Sequence, residues 1–456
     1  MGATSTVPRS PNLFKRVFLP VLGLFLVTAF GVRLAFDRDF YTGLRDTVRM
    51  LDPQFLKQWW RVGHVMELAH YDYLHPEKVT YDKLADSALN HVLDGLDHFS
   101  DYLPPKDFRD FNNESAQRPV GVGVEIERRN GRVQIVRVFL NSPAAKNQWL
   151  PNDRIVEING VDVRDFTVTG VSDLLRGPEG SLVKVTRETP GEVVHQDTLT
   201  RGGFDVPSVR DSEKRADGVG YLRITQFGEN TGADFRDGLD GLMKPSALRG
   251  LILDLRDNPG GLLVDQDGKS PVLELMETLL PTNTRVVITQ GRNPSSAKSL
   301  VTTGKGDLHL DEGAPIVVLV NENTASAAEI VAGSLQDYHR AVILGQTTYG
   351  KGVVQSIIDL NDGSGVRLTT EAYKLPGPNG TKPRDIQGFG ITPDVPMTLT
   401  QDERDLMRFE RSDLRADLNR FTPEQFTATF GFAPVPDAQI ETAASLIVAA
   451  TPNYKK

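Results

Sequence analysis

The sequence of 456 residues has no cysteine, which excludes a disulfide framework, a thiol nucleophile and a cysteine-ligated metal. It also has no long basic run, and its formal net charge is −9. Because binding to nucleic-acid phosphates needs clustered positive charge, we expect no nucleic-acid partner. Low-complexity blocks are absent as well. The length suffices for two or three domains, each with its own core.

One long apolar stretch lies near the N-terminus. Residues 17–36 are uncharged except for Arg33, and about 20 such residues cross a bilayer when the arginine snorkels. The positive charges before it are Arg9, Lys15 and Arg16. Positive charge favours the cytoplasmic side, so the sequence predicts a cytoplasmic N-terminus (1–16), a transmembrane anchor (17–36) and an extracytoplasmic remainder. A cleaved signal peptide is the alternative, although no small-x-small cleavage site follows the stretch.

Hydrophobic periodicity divides the remainder into four regions. Residues 40–117 have apolar positions at helical spacing and predict a helical region. Residues 118–205 contain short alternating strands joined by turns, which predicts a small β-rich domain. Residues 206–398 alternate strands with helices, which indicates an α/β domain with a largely parallel, buried sheet. The charged segment 399–456 predicts a helical extension.

The segment Gly121-Val122-Gly123-Val124 is a glycine-containing loop that leads into a strand. Its backbone N–H groups can turn toward a peptide carboxylate, while the strand edge accepts the peptide by β-augmentation. These four residues are therefore candidate peptide-binding residues. A tight turn without a ligand explains the same pattern, and the loop alone does not separate the two interpretations.

Three loops of the α/β region leave the carboxyl ends of predicted strands, at 257–261, 321–325 and 346–352. In a parallel sheet with right-handed crossovers these ends meet at one edge, where ligands usually bind. Ser326 begins a helix after the second loop, and Lys351 lies in the third. The sequence therefore predicts that a hydroxyl and an amine meet in one cleft.

A serine hydroxyl becomes an effective nucleophile only when a base takes its proton. The nearest downstream histidine, His339, would lie about 20 Å from Ser326 along the predicted helix and cannot be that base. Lys351 can serve if burial lowers its pKa. Gln355 lies four residues further along an extended segment, on the same face, where its amide oxygen can orient the lysine. We therefore predict a catalytic group of these three residues, a variant of the serine triad.

The tetrahedral intermediate of acyl transfer also needs donors for its oxyanion. The Ala327 N–H lies at a helix N-terminus, where unpaired amides and the helix dipole favour negative charge. Gly260 or Gly261 can supply a second N–H, because glycine lets the backbone approach a substrate closely. Taken alone, Ser326 is explained as an N-cap and Lys351 as a solvated lysine. Their combination with this glycine turn favours a hydrolase acting on acyl bonds.

A nucleotide hydrolase fits one part of the pattern. Residues 345–351 match the Gly-x4-Gly-Lys start of a phosphate-binding loop. However, Gly352 occupies the position where that loop has serine or threonine for magnesium. Residues 353–358 are rich in β-branched side chains and favour a strand over the helix that such a loop opens.

Eight motifs follow one another in a fixed order between residues 80 and 398. They are LDHFSDYL (96–103), SPAA (142–145), DRIVEING (153–160), LDLRDNPGG (253–261), TASAAEI (324–330), QDYHRA (336–341), TYGKGVVQ (348–355) and IQGFGITPD (386–394). In that order they resemble the carboxyl-terminal processing proteases, PDZ-containing serine endopeptidases of the tail-specific type. The resemblance implies a crotonase-like/ClpP-like α/β protease core with an inserted PDZ domain, an N-terminal helical region and an N-terminal transmembrane helix.

The resemblance also implies roles for particular residues. The family's nucleophile, general base and supporting glutamine match Ser326, Lys351 and Gln355. Its oxyanion donors match the Ala327 amide and a glycine of the Asn-Pro-Gly-Gly turn. No metal or other cofactor is expected.

Further expectations concern support, partners and location. Asp337 and Arg340 match a family pair that we interpret as structural support. The PDZ domain is expected to bind the exposed C-termini of protein or peptide substrates and to gate proteolysis, and the N-terminal helices can mediate dimerisation. Whether a homo-oligomer forms or an activating adaptor binds stays open. The expected location is a bacterial inner membrane, as a single-pass protein with its catalytic domain in the periplasm. The alternative from another class is a catalytically silent, membrane-tethered PDZ adaptor that binds peptides without turnover.

Overall fold

The computed structural model describes residues 51–452 apart from several gaps. These gaps are 116–117, 130, 140, 151, 190–192, 245, 266, 305–309, 312, 401–402, 404–421 and 431–434. The transmembrane anchor predicted at 17–36 lies outside the described residues. Within the described part, no helix is both long and apolar enough to span a membrane.

The described helices and strands follow the order of the predicted regions, except that strand β1 lies within the region 40–117 that was predicted to be helical. The helices are α1 (Pro53–Asp72), α2 (Tyr81–Asp94), α3 (Pro105–Ser115), α4 (Pro143–Lys146), α5 (Val168–Leu175), α6 (Thr231–Met243), α7 (Pro271–Glu277), α8 (Ala327–Asp337), α9 (Pro423–Phe430) and α10 (Ala438–Ala450). The strands are β1 (Asp101–Leu103), β2 (Val120–Gly121), β3 (Val124–Arg129), β4 (Arg132–Val138), β5 (Arg154–Ile158), β6 (Val161–Asp162), β7 (Leu182–Thr189), β8 (Val193–Thr200), β9 (Gly202–Gly203), β10 (Val209–Lys214), β11 (Val219–Ile224), β12 (Gly250–Asp254), β13 (Arg285–Gly291), β14 (Lys298–Val301), β15 (Ile316–Val320), β16 (Val342–Gly345), β17 (Val353–Asp359), β18 (Gly365–Leu375), β19 (Arg384–Asp385) and β20 (Val395–Pro396).

The described chain separates into two compact units between His91 and Val92. In the first unit, α1 begins after Asp52, whose carboxylate accepts a hydrogen bond from the Gln54 N–H (2.7 Å). The apolar side chains of α1, among them Trp59 and Trp60, are exposed. The helical region predicted at 40–117 is therefore helical where it is described from residue 51 to the unit boundary.

The second unit contains a sheet in the order β10-β11-β12-β15-β16-β20. Every neighbouring pair in it is parallel except β10 with β11. Strands β11, β12 and β15 are buried along their whole length, because helices cover both faces. Helix α8 is the most buried of these helices, with ten of its eleven residues inside. The parallel α/β sheet predicted from the alternating pattern is confirmed.

A second sheet of the same unit is antiparallel and is built around β18. On one side β18 pairs with β17, and elsewhere along its length it pairs with β1, β13 and β19. Its partner β1 comes from the sequence segment that precedes the β-rich domain, with Asp101 opposite Arg367. A bidentate ion pair joins these two side chains (3.0 and 2.7 Å).

The inserted β-rich domain is formed by an antiparallel sheet in the order β3-β4-β5-β7-β8, with α5 packed against β3. Trp149 is buried in its core, and its indole N–H donates to Asp197 (2.9 Å). Arg187 donates to the same carboxylate (2.8 Å) and is paired with buried Asp153. Hydrogen bonds to Asp197 therefore hold the Trp149 indole and the Arg187 guanidinium in the domain core. One buried oxygen of Asp153 has no hydrogen-bond partner among the described residues.

Helix α10 covers the parallel sheet next to the end of β12. Arg256 is fully buried and donates to Asp254 of β12 and to Asp437 at the start of α10 (2.7 Å). It also donates to Gln439 (3.0 Å). Asp254 keeps a pKa far below its usual value: burial raises it, but the Arg256 charge outweighs this. The charged network anchors the C-terminal helix beside the loop that follows β12.

Candidate active site

Ser326 immediately precedes α8 in a strained backbone conformation. Its φ of 54° and ψ of −119° lie where residues other than glycine are rarely found. An ordinary N-cap residue has dihedrals in the β region instead. The buried helix behind it holds this conformation in place. Ser326 is the N-cap residue of α8, and its N–H donates to Glu329 as in a capping box. Capping alone does not require the strained conformation, and strain of this kind is common at functional sites.

Glu329 joins the serine loop to the lysine loop. Its carboxylate is fully buried, and one oxygen accepts hydrogen bonds from the N–H groups of Ser326 (2.8 Å) and Lys351 (2.9 Å). The other oxygen accepts from the Thr348 hydroxyl (2.5 Å) and the Gly350 N–H (2.7 Å). Burial raises the pKa of Glu329, while these four bonds oppose that rise. One carboxylate therefore determines how the two loops sit relative to each other.

Lys351 is half-buried and lies over an aromatic ring. Its Nζ is 4.7 Å from the ring centre of Phe99. Burial lowers the pKa of Lys351, and the positive charge of Arg367 lowers it further. The negative charges of Asp97 and Glu329 act in the opposite direction without cancelling the effect. The net shift has the direction that a lysine general base requires.

The Ser326 and Lys351 loops are also joined by Tyr373. This tyrosine is buried, and its hydroxyl donates to the Ser326 carbonyl (3.2 Å) and contacts the Lys351 carbonyl. Among the described residues, no hydrogen bond connects the Ser326 hydroxyl directly to the Lys351 amine. Catalytic hydrogen bonds are often long without substrate and tighten when it binds.

Gln355 lies on β17 directly opposite Thr369 of β18. The pairing register shifts between Val354 and Gln355, so that Thr370 has no direct partner on β17. The Gln355 side-chain N–H donates to the Thr369 hydroxyl (3.2 Å). The regular alternation assumed from the sequence is interrupted here. Within the described part of the chain, the lysine and the glutamine share no direct hydrogen bond.

The glycine turn after β12 passes directly over the candidate nucleophile. A Cβ on Gly260 would lie 2.7 Å from the Ser326 Cβ and 2.9 Å from the Ala327 nitrogen. The Gly260 N–H already donates to the Asn258 side chain (2.9 Å). The N–H groups of Ala327 and Gly261 have no acceptor among the residues that the structure describes. Of the two glycines proposed as oxyanion donors, Gly261 is therefore the one with an available N–H.

Further hydrogen bonds tie the glycine turn to the serine loop. The Ala325 N–H donates to the Asn258 carbonyl (2.9 Å). The Asn321 side chain accepts from the Asp257 N–H (2.9 Å) and donates to the Asp257 carboxylate (2.8 Å). The three loops predicted to meet at the carboxyl edge of the sheet do meet there.

Asp337 and Arg340 lie at the far end of α8 and bind other parts of the core. Asp337 accepts hydrogen bonds from Arg384 (2.8 Å) and from the Gly377 N–H (2.7 Å). Arg340 donates to three backbone carbonyls, those of Leu279, Asp311 and Ala314. Both side chains therefore stabilise loops around the helix rather than touching the candidate nucleophile.

A groove of about 350 Å³ borders strand β3 of the inserted domain. It is lined by the predicted loop Gly121–Val124, by α5, and by the positively charged Arg176 and Arg210. Gly123 has a φ of +81°, and a Cβ there would lie 2.1 Å from that of Ser142. Only glycine fits at Gly123, so the loop is a tight turn that also lines the groove. Peptide binding by the loop stays a prediction.

The phosphate-loop alternative does not fit the structure. Residues 353–359 form strand β17 and not a helix. Gly350 packs against backbone, since a Cβ there would lie 2.8 Å from the Gly390 nitrogen. The Gly352 N–H is occupied by the Gln387 side chain (2.7 Å). Protein groups therefore fill the space that phosphates would need.

The sequence pattern alone predicts no role for Glu329, Phe99 or Asp97. A signal for Glu329 was present, because a glutamate three residues after a helix-opening serine has capping-box spacing. Phe99 and Asp97 belong to the motif at 96–103, but nothing in the sequence shows that this segment reaches the lysine. Nothing in the sequence marks Tyr373 as part of the site.

This chain matches two family models, and it is similar to several known proteins. A family model described as "Peptidase family S41" matches residues 218–397, and one described as "PDZ domain" matches residues 111–186. The carboxy-terminal-processing protease of Bartonella bacilliformis is 35% identical over 344 residues, which cover 74% of this chain and 75% of that protein. The carboxyl-terminal-processing protease of Synechocystis sp. is 34% identical over 68% of this chain and 70% of its own length. The solved photosystem II D1 C-terminal processing protease is 27% identical, with 74% of this chain and 92% of that one covered and a TM-score of 0.43.

Proposed function

The chain belongs to peptidase family S41, among the carboxy-terminal processing proteases with a PDZ domain, and we propose that it cleaves peptide bonds with Ser326 as nucleophile and Lys351 as general base. Members of this family are serine endopeptidases. The observation that carries the assignment of these two residues is the buried Glu329 carboxylate, which binds both of their backbone N–H groups.

The proposed reaction needs only groups present at this site. The neutral Lys351 amine takes the hydroxyl proton as the Ser326 Oγ bonds to the carbonyl carbon of the scissile peptide. The developing oxyanion accepts hydrogen bonds from the Ala327 and Gly261 N–H groups. Lys351 then gives its proton to the departing amine, which breaks the carbon–nitrogen bond and leaves an acyl-enzyme. Water attacks this ester with Lys351 again as base, and Ser326 is regenerated.

Two alanine variants test the proposal. Ser326→Ala and Lys351→Ala should each reduce kcat on an unfolded reporter protein by about 10³-fold or more, as for other nucleophile and base knockouts. Matched controls are Ser356→Ala and Lys374→Ala, which change exposed residues on neighbouring strands and should leave cleavage near wild type. Full activity in Ser326→Ala would exclude this serine as the nucleophile. A wild-type chain that binds the reporter without cleaving it would instead indicate the silent adaptor.

We also propose that the groove of the PDZ domain binds the C-terminus of the substrate. The loop Gly121–Val124 offers backbone N–H groups, and the adjoining strand β3 can pair with an extended peptide. Arg176 supplies positive charge at the same groove, where Arg210 is paired with Glu125 (3.5 Å). These features suit a peptide that ends in a free carboxylate.

For location, we propose an anchor at residues 17–36 that holds the protease on the outer side of a bacterial inner membrane. The length and flanking charge of this segment support the proposal. The full chain should stay in the membrane fraction after an alkaline wash and be digested by protease added to spheroplasts. A chain lacking residues 1–36 and retained in the cytoplasm should be soluble. Release of the full chain by the alkaline wash would contradict the anchor.

A further inference from the structure

The segment that precedes β1 brings a fully engaged carboxylate close to the candidate base. Asp97 accepts hydrogen bonds from the N–H groups of Phe99 (2.7 Å) and Ser100 (2.9 Å) and from the Ser100 hydroxyl (3.1 Å). It also accepts from the Thr369 hydroxyl on β18 (3.3 Å). Burial alone would raise the pKa of Asp97, but these hydrogen bonds lower it below its usual value. Asp97 is therefore ionised at neutral pH.

An ionised carboxylate can only accept hydrogen bonds, and this determines the direction of the next bond. The Thr369 hydroxyl must give its single proton to Asp97, so its oxygen is left only as an acceptor. Gln355, which contacts that oxygen, must then present its N–H2 group to Thr369 (3.2 Å). The amide oxygen of Gln355 is consequently turned away from Thr369. Because Thr369 donates to Asp97 and accepts from Gln355, the Gln355 amide can take only this orientation.

We propose that Asp97 and Thr369 are positioning residues that fix the amide of Gln355 so that its oxygen can accept a hydrogen bond from Lys351. The inference rests on the proposed Ser–Lys mechanism and deepens it. The same short segment supplies Phe99, whose ring lies under the Lys351 ammonium. Residues 97–100 therefore reach the base in two ways: Phe99 contacts Lys351 directly, and Asp97 acts on Gln355 through Thr369.

The charges that face Lys351 allow this arrangement to be tested through the pH dependence of kcat/KM. Asp97, Glu329 of α8 and Arg367 of β18 are the charged groups that act on the amine. Asp97 favours the ammonium form, so removing its charge lowers the pKa of Lys351. Because only the neutral amine is a base, Asp97→Asn should move the acid limb of the kcat/KM profile to lower pH. Thr369→Val removes no charge and should leave the limb in place.

Neighbouring threonines allow a matched test on the full-length protease. Thr369→Val should lower kcat about tenfold with little change in KM, the effect of losing one hydrogen bond that acts in the transition state. Thr369→Ser keeps the hydroxyl and should restore most of the activity. The control is Thr370→Val, which removes a half-buried hydroxyl on the same strand that contacts Ser356 instead of Gln355. Thermal denaturation of all three variants shows whether they fold alike.

A double-mutant cycle separates positioning from a general structural effect. If Thr369 acts through Gln355, the Thr369→Val change should cost nothing further in a Gln355→Ala background. Additive losses in that background, or equal activities of Thr369→Val and Thr370→Val, would overturn the inference. Both results leave the proposed function intact as long as Ser326→Ala is inactive. An active Ser326→Ala would instead remove the mechanism on which the inference rests.

Discussion

At the residue scale, Glu329→Gln tests the link between nucleophile and base. The substitution places an N–H2 group where two donors already point, so two hydrogen bonds are lost inside the core. Unfolding free energy should fall by about 1–3 kcal/mol for each unsatisfied donor. Displacement of the loops should lower kcat by about 100-fold. Thermal denaturation and reporter cleavage measure the two effects separately.

The control for this variant is Glu322→Gln, which changes an exposed glutamate in the same loop. It should be indistinguishable from wild type in both measurements, because surface substitutions usually change stability by less than about 0.5 kcal/mol. If Glu329→Gln also matched wild type, the carboxylate would not hold the two loops together.

Arg367 provides a second test at this scale, through the pH dependence of cleavage. Its positive charge lowers the pKa of Lys351, and its guanidinium is paired with Asp101. Arg367→Gln removes that charge and leaves Asp101 uncompensated, and both changes favour the ammonium. The pKa of Lys351 should therefore rise, and the acid limb of kcat/KM should move to higher pH. An unchanged limb, or a shift to lower pH, would show that Lys351 does not titrate in that limb.

At the scale of elements, the turn after β12 has no room for a side chain at Gly260. Gly260→Ala would place a Cβ 2.7 Å from both the Ala325 oxygen and the Ser326 Cβ. The turn then has to move away from the nucleophile, so kcat should fall by about 100-fold. Gly268→Ala is the control: its φ is also positive (+81°), but no atom lies within 4 Å of the added Cβ. Equal activity of the two variants would mean that this turn plays no part in the reaction.

The same elements show how far the sequence could predict the site. The loops of Ser326 and Lys351 were predicted at one sheet edge, because alternating strands and helices with right-handed crossovers leave few arrangements. The pairing of β1 with β18 could not be predicted, since an antiparallel contact between Asp101 and Arg367 leaves no periodic signal. The sequence also could not predict which of Gly260 and Gly261 has an available N–H for the oxyanion. The answer depends on a hydrogen bond of Gly260 to Asn258 that only the folded turn reveals.

At the scale of the whole molecule, the PDZ groove and the protease core should act on one substrate. A reporter with a free C-terminal carboxylate should be cleaved with a lower KM than the same reporter with a C-terminal amide, because the amide lacks the charge that we propose the groove recognises. Gly123→Ala should abolish this difference, since its Cβ would lie 2.1 Å from that of Ser142. Identical KM values for both reporters with the wild type would contradict C-terminal recognition.

The rate at which a fluorophosphonate labels Ser326, followed by mass spectrometry across a pH series, tests most directly whether Lys351 activates this serine. The wild type should be labelled on Ser326, with a rate that rises through a limb below the ordinary pKa of lysine. Lys351→Ala should be labelled about 10³-fold more slowly and without that limb. Equal labelling rates in the two proteins, or labelling at a different serine, would contradict the account.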